Sequence, residues 1–444
     1  TEISPELAFK VGKNIVGWIS RNNPDVERHL VCLGYDNRRN SKLLAYCAGA
    51  AITSLGIDVK ICSSPIPTPF LIFSTIHNKA QAGLMITGSH LPETDNGMIL
   101  FDGSGNYFKG NLDEEIKENV SWDNLGKLKY FDDEERNYLA LISYYTSKVM
   151  VKQSDLKILV EPAHGVMRKY LYISLSQLVR ELVRFNWEED DTFPGRISEP
   201  SPTNLIKTRE ELLKQNCDLG IATDMDGDRV IFISKSGEII TGDYIGALFA
   251  SYVWRKDPNS VVVVPINTSG IISHVAELYN GNLKYCKVGP PSIIEAVRKW
   301  DAKFAFEESG KYIFVDTAIW PDSVFSALKL LSIMQRAGKS LDELMSEFPK
   351  FYSIKTKLPY SRQNRDTFDS KVIEILKNHI SADYEINDLD GYRITFKDNS
   401  WLLIRLSGTE DYVRIFSEHT DRGEAKKLDN LGKEIIQKLK ELDE

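Results

Sequence analysis

The chain has 444 residues, which is too long for one ordinary hydrophobic core and suggests about three or four domains. An apolar fraction of 42% and a charged fraction of 27% are typical of a soluble globular protein, and no apolar run reaches the roughly 18 residues that a membrane span needs. The formal net charge is −8 and the basic residues are scattered, which argues against a nucleic-acid-binding protein.

The five cysteines are widely spaced and form no CxxC pair. They are Cys32, Cys47, Cys62, Cys217 and Cys286. An odd, scattered set in mostly apolar surroundings indicates reduced core residues. We therefore expect a cytoplasmic protein without a secretory signal.

The first part of the chain alternates helical and strand patterns. Helices are predicted at residues 7–20 and 42–55, and strands at 30–34, 58–62 and 82–87. Strands separated by helices of this length predict a mostly parallel sheet that is covered on both faces.

The alternating pattern occurs twice more before the chain changes character. The second and third blocks contain predicted strands at 157–161, 218–222, 230–234, 261–265 and 302–306, and the third ends in predicted helices at 324–337 and 340–348. From about residue 351 the order is strand, helix (367–378), strands (385–389, 392–397, 401–405, 413–418) and a final helix. Strands grouped between two helices predict an α+β domain.

The sequence thus predicts three similar α/β domains with mixed, mostly parallel sheets and a C-terminal α+β domain. The predicted boundaries are 1–153, 154–257, 258–350 and 351–444.

The first candidate site is the loop TGSHLP at residues 87–92, directly after a predicted strand. Sheets of this kind place ligands at the carboxyl ends of their strands, where a serine can act as a nucleophile or phosphate carrier. Ser89 and His90 are adjacent and point apart, so they form no hydrolase dyad, and no GxSxG elbow surrounds them. Taken alone, the loop is more typical of an ordinary turn.

The second candidate site is the loop DMDGDR at residues 224–229, the most specific of the four. Three carboxylates at alternate positions (Asp224, Asp226 and Asp228) require a counter-charge, and oxygen ligands suit Mg²⁺ with a phosphate completing its shell. An EF-hand would have glycine sixth and glutamate twelfth, where this chain has Arg229 and Lys235. The alternative is a solvated acidic turn.

Two further polar loops follow. In EESGK (307–311), Glu307 and Ser309 can accept from and donate to neighbouring sugar hydroxyls, although an ordinary polar turn fits as well. The other loop is RLSGTE (405–410), with Arg414 nearby. Its glycine lets the backbone come close to a ligand, and its hydroxyls, amides and guanidinium groups favour an anion site.

These four loops, in this order and at these separations, resemble those of the α-D-phosphohexomutases: phosphoglucomutase, phosphomannomutase and phosphoglucosamine mutase. Such enzymes carry a TGSHNP-type phosphoserine loop, a DGDGDR-type metal loop, a GExSGH-type sugar loop and an RxSGTEP-type phosphate loop, one per domain. The resemblance covers essentially the whole chain, including residues 64–69, 199–204 and 287–289. It implies four domains around a central cleft.

The resemblance also implies residue roles. Ser89 would carry the phosphoryl group, and Arg229 would steady the phosphate that is transferred. We also count His90 and Lys311 as candidate catalytic residues, Lys311 on the hypothesis given below. Asp224, Asp226 and Asp228, with the Ser89 phosphate, would bind Mg²⁺. The residues implied to bind substrate are Glu307 and Ser309 on the sugar hydroxyls, and Arg405, Ser407, Gly408, Thr409 and Arg414 on the phosphate that is not transferred.

The implied activity is a Mg²⁺-dependent isomerase that interconverts hexose 1-phosphate and hexose 6-phosphate, with a bisphosphorylated hexose as intermediate and activator. Its partners would be small-molecule hexose phosphates, without nucleic acid or membrane, and it would be a monomer or homodimer. The three possible sugars (glucose, mannose and glucosamine) differ at C2, which the loops do not specify.

The chain departs from the family pattern at several positions. An FGTxGxRG segment usually precedes the first helix, and we expect it to belong to the protein although the sequence begins at Thr1. The family's NGxK lysine is Ile99, its sugar-loop histidine is Lys311, and the proline after SGTE is Asp411. One hypothesis is that Lys311 supplies the cation lost at Ile99.

Three other hypotheses for the function stay open. The chain could be a divergent paralogue that binds phosphosugars with weak or altered mutase activity, or a non-enzymatic sugar-phosphate-binding protein. It could also be a sugar phosphatase of the haloacid-dehalogenase type, although the nucleophilic aspartate of that class follows an early strand, whereas this acidic cluster lies mid-chain.

Overall fold

The computed structural model of the chain describes residues 3–23, 28–108, 112, 124–150, 152–380, 383–407 and 411–443. The chain divides into two compact units. Unit 1 comprises residues 1–242 and 309–344, and unit 2 comprises residues 243–308 and 345–444.

The first part of unit 1 alternates helices and strands, as the sequence predicts. Its elements are α1 (Pro5–Asn22), β1 (Leu30–Tyr35), α2 (Ser41–Ser54), β2 (Asp58–Ile61), α3 (Thr68–His77), β3 (Ala82–Ile86), β4 (Met98–Asp102) and β5 (Leu128–Tyr130). The strand order is β4-β3-β1-β2-β5, and only the β3–β4 pair among these is antiparallel. The predicted serine loop therefore connects a central parallel strand to an antiparallel edge strand.

The second part of unit 1 has the same character. Its elements are α4 (Glu134–Val149), β6 (Ser154–Glu161), α5 (Arg168–Leu175), β7 (Val179–Arg184), α6 (Ile206–Lys214), β8 (Leu219–Thr223), β9 (Val230–Ser234) and β10 (Ile239–Ile240). The order is β10-β9-β8-β6-β7, with β8 parallel to β6 and antiparallel to β9. The acidic loop thus joins two antiparallel strands, each of which is buried along its whole length.

The third stretch of chain crosses from unit 1 to unit 2 and back. Its elements are α7 (Gly242–Lys256), β11 (Val261–Pro265), α8 (Ile271–Tyr279), β12 (Asn282–Cys286), α9 (Pro290–Lys299), β13 (Phe304–Glu307), β14 (Lys311–Phe314), α10 (Ser323–Ala337) and α11 (Leu341–Met345). In unit 2, β11 pairs in parallel with both β12 and β13. The strand β14 and the helix α10 belong to unit 1.

The last part of unit 2 is an α+β domain with an antiparallel sheet. Its elements are β15 (Tyr352–Pro359), a short 3-10 helix (Arg362–Asn364), α12 (Arg365–His379), β16 (Tyr384–Asn387), β17 (Tyr392–Phe396), β18 (Trp401–Leu406), β19 (Tyr412–His419) and α13 (Arg422–Asp443). The order is β15-β19-β18-β17-β16. Both helices pack on the apolar face of this sheet, with Val372, Ile394, Leu402, Ile415 and Ile435 at its centre.

The predicted fold class is confirmed: three α/β domains with mixed, mostly parallel sheets precede a C-terminal antiparallel domain. Predicted element ends differ by one to three residues in most cases, and the predicted helix at 340–348 extends only over Leu341–Met345. The helix α4 and several strands, including β4, β7 and β14, were not predicted. The domain boundaries at 153/154, 257/258 and 350/351 stay predictions.

The helix α4 owes its position to a buried tyrosine. Tyr138 is fully buried, stacks on Phe70 with ring centroids 5.3 Å apart, and donates a hydrogen bond of 2.5 Å to Oδ2 of Asp322. Asp322 is the N-cap of α10, and its other oxygen accepts from the backbone N–H of Val324 at 2.9 Å. The Asp322 carboxylate thereby ties α4 to α10, and the Tyr138 ring packs α4 against α3.

We expect Tyr138→Phe to lower the free energy of unfolding by about 1–3 kcal/mol, because it removes one donor from a buried carboxylate. Urea unfolding followed by circular dichroism measures this. The control is Tyr144→Phe on the same helix, where the side chain is exposed. Equal midpoints for the two variants would show that the buried hydrogen bond contributes nothing.

Candidate active site

The serine loop begins where β3 ends, and its conformation is unusual. Ser89 has a φ of +45°, in the left-handed region that disfavours residues with a side chain. Its backbone N–H donates to Oγ1 of Thr87 at 2.8 Å, which fixes the turn locally. Its hydroxyl donates to Oδ2 of Asp224 at 3.3 Å. The serine loop and the acidic loop, 135 residues apart, therefore meet in unit 1.

The acidic loop holds its three carboxylates together inside the protein. Asp224, Asp226 and Asp228 are all buried, and one carboxylate oxygen of each lies within 4.8 Å of the others. The tight turn depends on Gly227, which has a φ of +75°, and an added Cβ there would lie 2.4 Å from Cε of Met167. A residue with a side chain here would strain the backbone and would require Met167 to shift.

Each carboxylate of this triad has a different partner. Asp224 accepts from the backbone N–H groups of Gly227 and Arg229 through one oxygen, at 3.1 and 3.0 Å. Asp228 accepts from Nζ of Lys311 at 2.6 Å. One oxygen of Asp226 and one of Asp228 are buried without a hydrogen-bond partner among the described residues. These two oxygens and their spacing suit a divalent cation.

The electrostatics of the triad lead to the same conclusion. Burial and then the neighbouring Asp226 and Asp228 carboxylates raise the pKa of Asp224, and burial with Asp228 raises the pKa of Asp226 to about 6. Burial also opposes ionisation of Asp228, but the charges of Lys311 and Arg229 outweigh it and lower the pKa of Asp228. A bound cation would offset the burial and the repulsion that make Asp224 and Asp226 harder to ionise.

Two cations and one histidine complete this part of the site. Lys311 is the first residue of β14 and its side chain is buried. Nε of Arg229 lies 3.8 Å from Oδ2 of Asp224, and its guanidinium lies 3.1 Å from Nδ1 of His90. Burial, followed by Arg229 and Lys311, lowers the pKa of His90 to about 4. His90 is therefore neutral near pH 7 and can accept a hydrogen bond from Arg229.

Thr68 was not predicted as a site residue and was named only within the stretch 64–69. Thr68 is fully buried at the first residue of α3. Its hydroxyl donates to Oδ2 of Asp226 at 2.7 Å, and its backbone N–H donates to the Asp226 carbonyl at 3.0 Å. A threonine between two prolines, Pro67 and Pro69, directly before an apolar run was the signal that could have marked it.

The remaining predicted residues fall into both units. Ser309, in unit 1, lies in the turn before β14, and its Oγ is buried without a hydrogen-bond partner among the described residues. Glu307 is the last residue of β13 in unit 2. Gly408 and Thr409 lie outside the described residues.

Unit 2 brings together the predicted phosphate-binding residues that the structure describes. Arg405 on β18 and Arg414 on β19 are register partners in adjacent antiparallel strands, so both side chains leave the same face. Nε of Arg405 lies 2.9 Å from Oδ2 of Asp390, and the Arg414 guanidinium donates to the Tyr412 hydroxyl at 2.8 Å. Ser407 is buried directly after β18. This arrangement can hold an anion.

Sequence models of four domain families match the chain in order. They are phosphoglucomutase/phosphomannomutase alpha/beta/alpha domain I at residues 1–125, domain II at 136–237, domain III at 241–352 and the C-terminal domain at 363–431. A probable phosphoglucosamine mutase of Methanobrevibacter smithii is 30% identical over 98% of this chain and 95% of its own length. The chain belongs to the phosphohexomutase family.

Two further comparisons agree with this membership. A phosphoglucomutase/phosphomannomutase of Thermococcus kodakarensis is also 30% identical over 98% of this chain and 95% of its own length. The crystal structure of a phosphoglucomutase/phosphomannomutase family protein from Burkholderia thailandensis has the same fold, with a TM-score of 0.84, 21% identity, and coverage of 99% of this chain and 94% of that one. The resemblance predicted from the four loops is confirmed.

Phosphohexomutases are isomerases that act as intramolecular phosphotransferases in carbohydrate metabolism, and this chain is a member of that enzyme class. Within the described part of the chain, no helix combines the length and the apolar character needed to cross a membrane.

We expect Mg²⁺ to stabilise the protein by about 2.7 kcal/mol at a concentration one hundred times its Kd. Asp226→Asn should abolish most of that gain. In EDTA the same variant should melt at a higher temperature than the wild type, because it removes one of three repelling carboxylates. Thermal unfolding with and without Mg²⁺ measures both effects.

The control is Glu134→Gln, which alters a buried carboxylate that pairs with Lys60 at 2.5 Å in another part of unit 1. This variant should lose stability in both conditions and keep the full Mg²⁺ shift. An Asp226→Asn protein that Mg²⁺ stabilises as much as the wild type would rule out the triad as the cation site.

Proposed function

We propose that this phosphohexomutase interconverts hexose 1-phosphate and hexose 6-phosphate through a phosphoserine at Ser89, with Mg²⁺ held by Asp224, Asp226 and Asp228. The observation that carries the proposal is the 3.3 Å hydrogen bond from Oγ of Ser89 to Asp224. It sets an esterifiable hydroxyl beside three carboxylates whose oxygens suit a divalent cation. Bound Mg²⁺ would neutralise charge on the phosphoryl group as it is transferred.

The proposed reaction follows from what these side chains can do. The bond between phosphorus and Oγ of Ser89 breaks, and a bond forms between phosphorus and a sugar hydroxyl whose proton passes to a nearby base. The product is a bisphosphorylated hexose. After it turns over in the site, its other phosphoryl group returns to Ser89, and the proton returns to the sugar oxygen that loses it.

Arg229 and Lys311 have the positions that this step needs. Both lie beside the triad, where their charges can balance a phosphoryl group on Ser89. The neutral His90 accepts from Arg229 and so can fix the direction of its guanidinium. Glu307 and Ser309 are proposed to bind the sugar hydroxyls. Ser309 offers a buried hydroxyl for this task.

The second phosphate of the sugar is proposed to bind to Arg405, Ser407 and Arg414, together with Gly408 and Thr409 of the same motif. The support is the register of the two arginines, which presents two guanidinium groups on one face of a sheet. Hexose phosphates are thus the proposed ligands, and the bisphosphorylated hexose is the proposed activator. The proposed location is cytoplasmic and the proposed assembly a monomer or homodimer.

The identity of the sugar is decided by a panel of glucose, mannose and glucosamine 1-phosphates, because the relatives carry names with all three sugars. The assay measures conversion of 1-phosphate to 6-phosphate with Mg²⁺ and the matching bisphosphate. A mutase exchanges labelled phosphate between the 1- and 6-positions of the sugar, whereas a protein that only binds sugar phosphates does not.

We expect the wild type to gain one phosphate on Ser89 after incubation with a hexose 1,6-bisphosphate, and Ser89→Ala to gain none and lose turnover by at least about a thousandfold. Intact-mass measurement and peptide mapping test this. The control is Ser147→Ala, an exposed serine on α4, which should behave as the wild type.

Phosphate release without isomerisation would instead indicate a phosphatase. Turnover that persists in Ser89→Ala would disprove the phosphoserine route.

Lys311 is proposed to replace the cation that the family has at the position of Ile99. We expect Lys311→Met to lower kcat by about a hundredfold or more, because it removes a charge and a proton carrier next to the triad. Steady-state assays on glucose and mannose 1-phosphates measure it. The control is Lys303→Met, which removes an exposed lysine that pairs with Asp301. Unchanged turnover in Lys311→Met would end this hypothesis.

A further inference from the structure

Arg38 lies three residues after β1, and its buried guanidinium donates hydrogen bonds to the serine loop. One terminal nitrogen donates to the carbonyls of Ser89 and Leu91, at 3.0 and 2.8 Å. The other donates to the carbonyls of Pro92 and Asp95, the latter at 2.9 Å. Four carbonyls within seven consecutive residues thus depend on one side chain, which is only 1% exposed.

A buried carboxylate, that of Asp36, contacts both Arg38 and the loop. Oδ2 of Asp36 lies 3.4 Å from Nε of Arg38 and accepts from the backbone N–H of Gly88 at 3.3 Å. Oδ1 of Asp36 accepts from Oγ of Ser41 at 2.5 Å. The arginine therefore has a counter-charge, and the pair holds the loop through both N–H and C=O groups.

The loop sequence is adapted to this close approach. A Cβ added to Gly88 would lie 2.6 Å from both Nε and Cζ of Arg38 and 2.7 Å from the Asp95 carbonyl oxygen. The next residue, Ser89, keeps its left-handed backbone with a φ of +45°. A left-handed residue with a side chain costs on the order of 1 kcal/mol or more, so the surrounding contacts must impose it. The bond from Arg38 to the Ser89 carbonyl is such a contact.

The acidic loop has a comparable arginine of its own. Arg196 is buried, pairs with Oε2 of Glu161 at 2.6 Å, and donates to the carbonyls of Ser198 and Thr223, both at 2.6 Å. Thr223 is the residue before the triad. The hydroxyl of Ser198 accepts from the N–H of Met225 at 3.0 Å. Arg38 thus supports the serine loop and Arg196 supports the acidic loop. Among the described hydrogen bonds, neither arginine donates to a carbonyl of the other loop.

We propose that Arg38 is a positioning residue for phosphoryl transfer: it holds the serine loop in the one backbone conformation that directs Oγ of Ser89 at the triad. This inference rests on the proposed function, since it concerns the reactivity of Ser89. Loss of Arg38 should slow transfer to and from Ser89 while the cation site, which Arg196 and Thr68 support, keeps its affinity. If the role of Arg38 were purely structural, its loss would lower the stability of the protein. The transfer rate at Ser89 and the Mg²⁺ affinity of the folded variant would then be unchanged.

The experiment compares Arg38→Met and Arg38→Lys with Arg196→Met, at a temperature where each variant is folded by circular dichroism. Rapid-quench mass spectrometry measures the rate of Ser89 phosphorylation by a hexose 1,6-bisphosphate at saturating Mg²⁺. Mg²⁺ affinity is measured separately, from the thermal shift of the unphosphorylated protein.

We expect Arg38→Met to phosphorylate Ser89 about a hundredfold more slowly, the effect of a misplacement near 1 Å, with Mg²⁺ affinity within about twofold of wild type. Arg38→Lys keeps the charge but loses the fork that reaches four carbonyls, and we expect a slowing of about tenfold. Arg196→Met should show the opposite pattern, with Mg²⁺ affinity weakened by about tenfold or more.

Wild-type protein that never gains phosphate on Ser89 would disprove the proposed function. Wild type that gains it, with a folded Arg38→Met that gains it equally fast, would overturn only the inference on Arg38. If Arg38→Met does not fold, Arg38→Lys decides: phosphorylation at the wild-type rate overturns the inference, and slowing with unchanged Mg²⁺ affinity supports it.

Discussion

Three like charges buried on one six-residue loop are the constraint to which the rest of unit 1 is adapted. Asp224, Asp226 and Asp228 are each at most 2% exposed, so water cannot offset their repulsion. The protein gives each a different donor: the loop's own N–H groups for Asp224, Thr68 for Asp226 and Lys311 for Asp228. Two oxygens remain without a hydrogen bond among the described residues. These two oxygens are why we propose the loop as a cation site and not as an ordinary acidic turn.

The loops that carry chemistry are irregular, and their shape comes from contacts distant in sequence. Ser89 has a left-handed backbone, which a free chain would seldom adopt, and Gly227 has a φ that only glycine adopts easily. Buried arginines fix such segments by donating to several carbonyls, as Arg38 and Arg196 do. Arg393 makes the same type of contact in unit 2, to the carbonyls of Ile266 and Thr268. Strand ends place the loops, and guanidinium groups then hold them.

Much of the fold could be predicted from the sequence, because strands buried on both faces have continuous apolar patterns. Val230–Ser234 and Val261–Pro265 have the predicted bounds for that reason. The helix α4 was missed because its buried positions carry a glutamate and two tyrosines beside a single aliphatic residue, Ile142, so the apolar pattern is weak. The triad and Ser89 were predicted by motif. Thr68 and Arg38 were not, since their importance comes only from partners far along the chain.

Under the proposed function, the total charge around Ser89 matters more than which segment supplies it. Ile99, on β4, brings none, whereas Lys311 places its ammonium 2.6 Å from Asp228. His90 adds no charge because its pKa is about 4. With Mg²⁺ bound, that ion, Lys311 and Arg229 supply four positive charges against three carboxylates and about two charges on a phosphoserine. The cluster then has a net charge of about −1, and without Lys311 its net charge would be about −2. A lysine on β14 can therefore supply the positive charge that a lysine on β4 would supply.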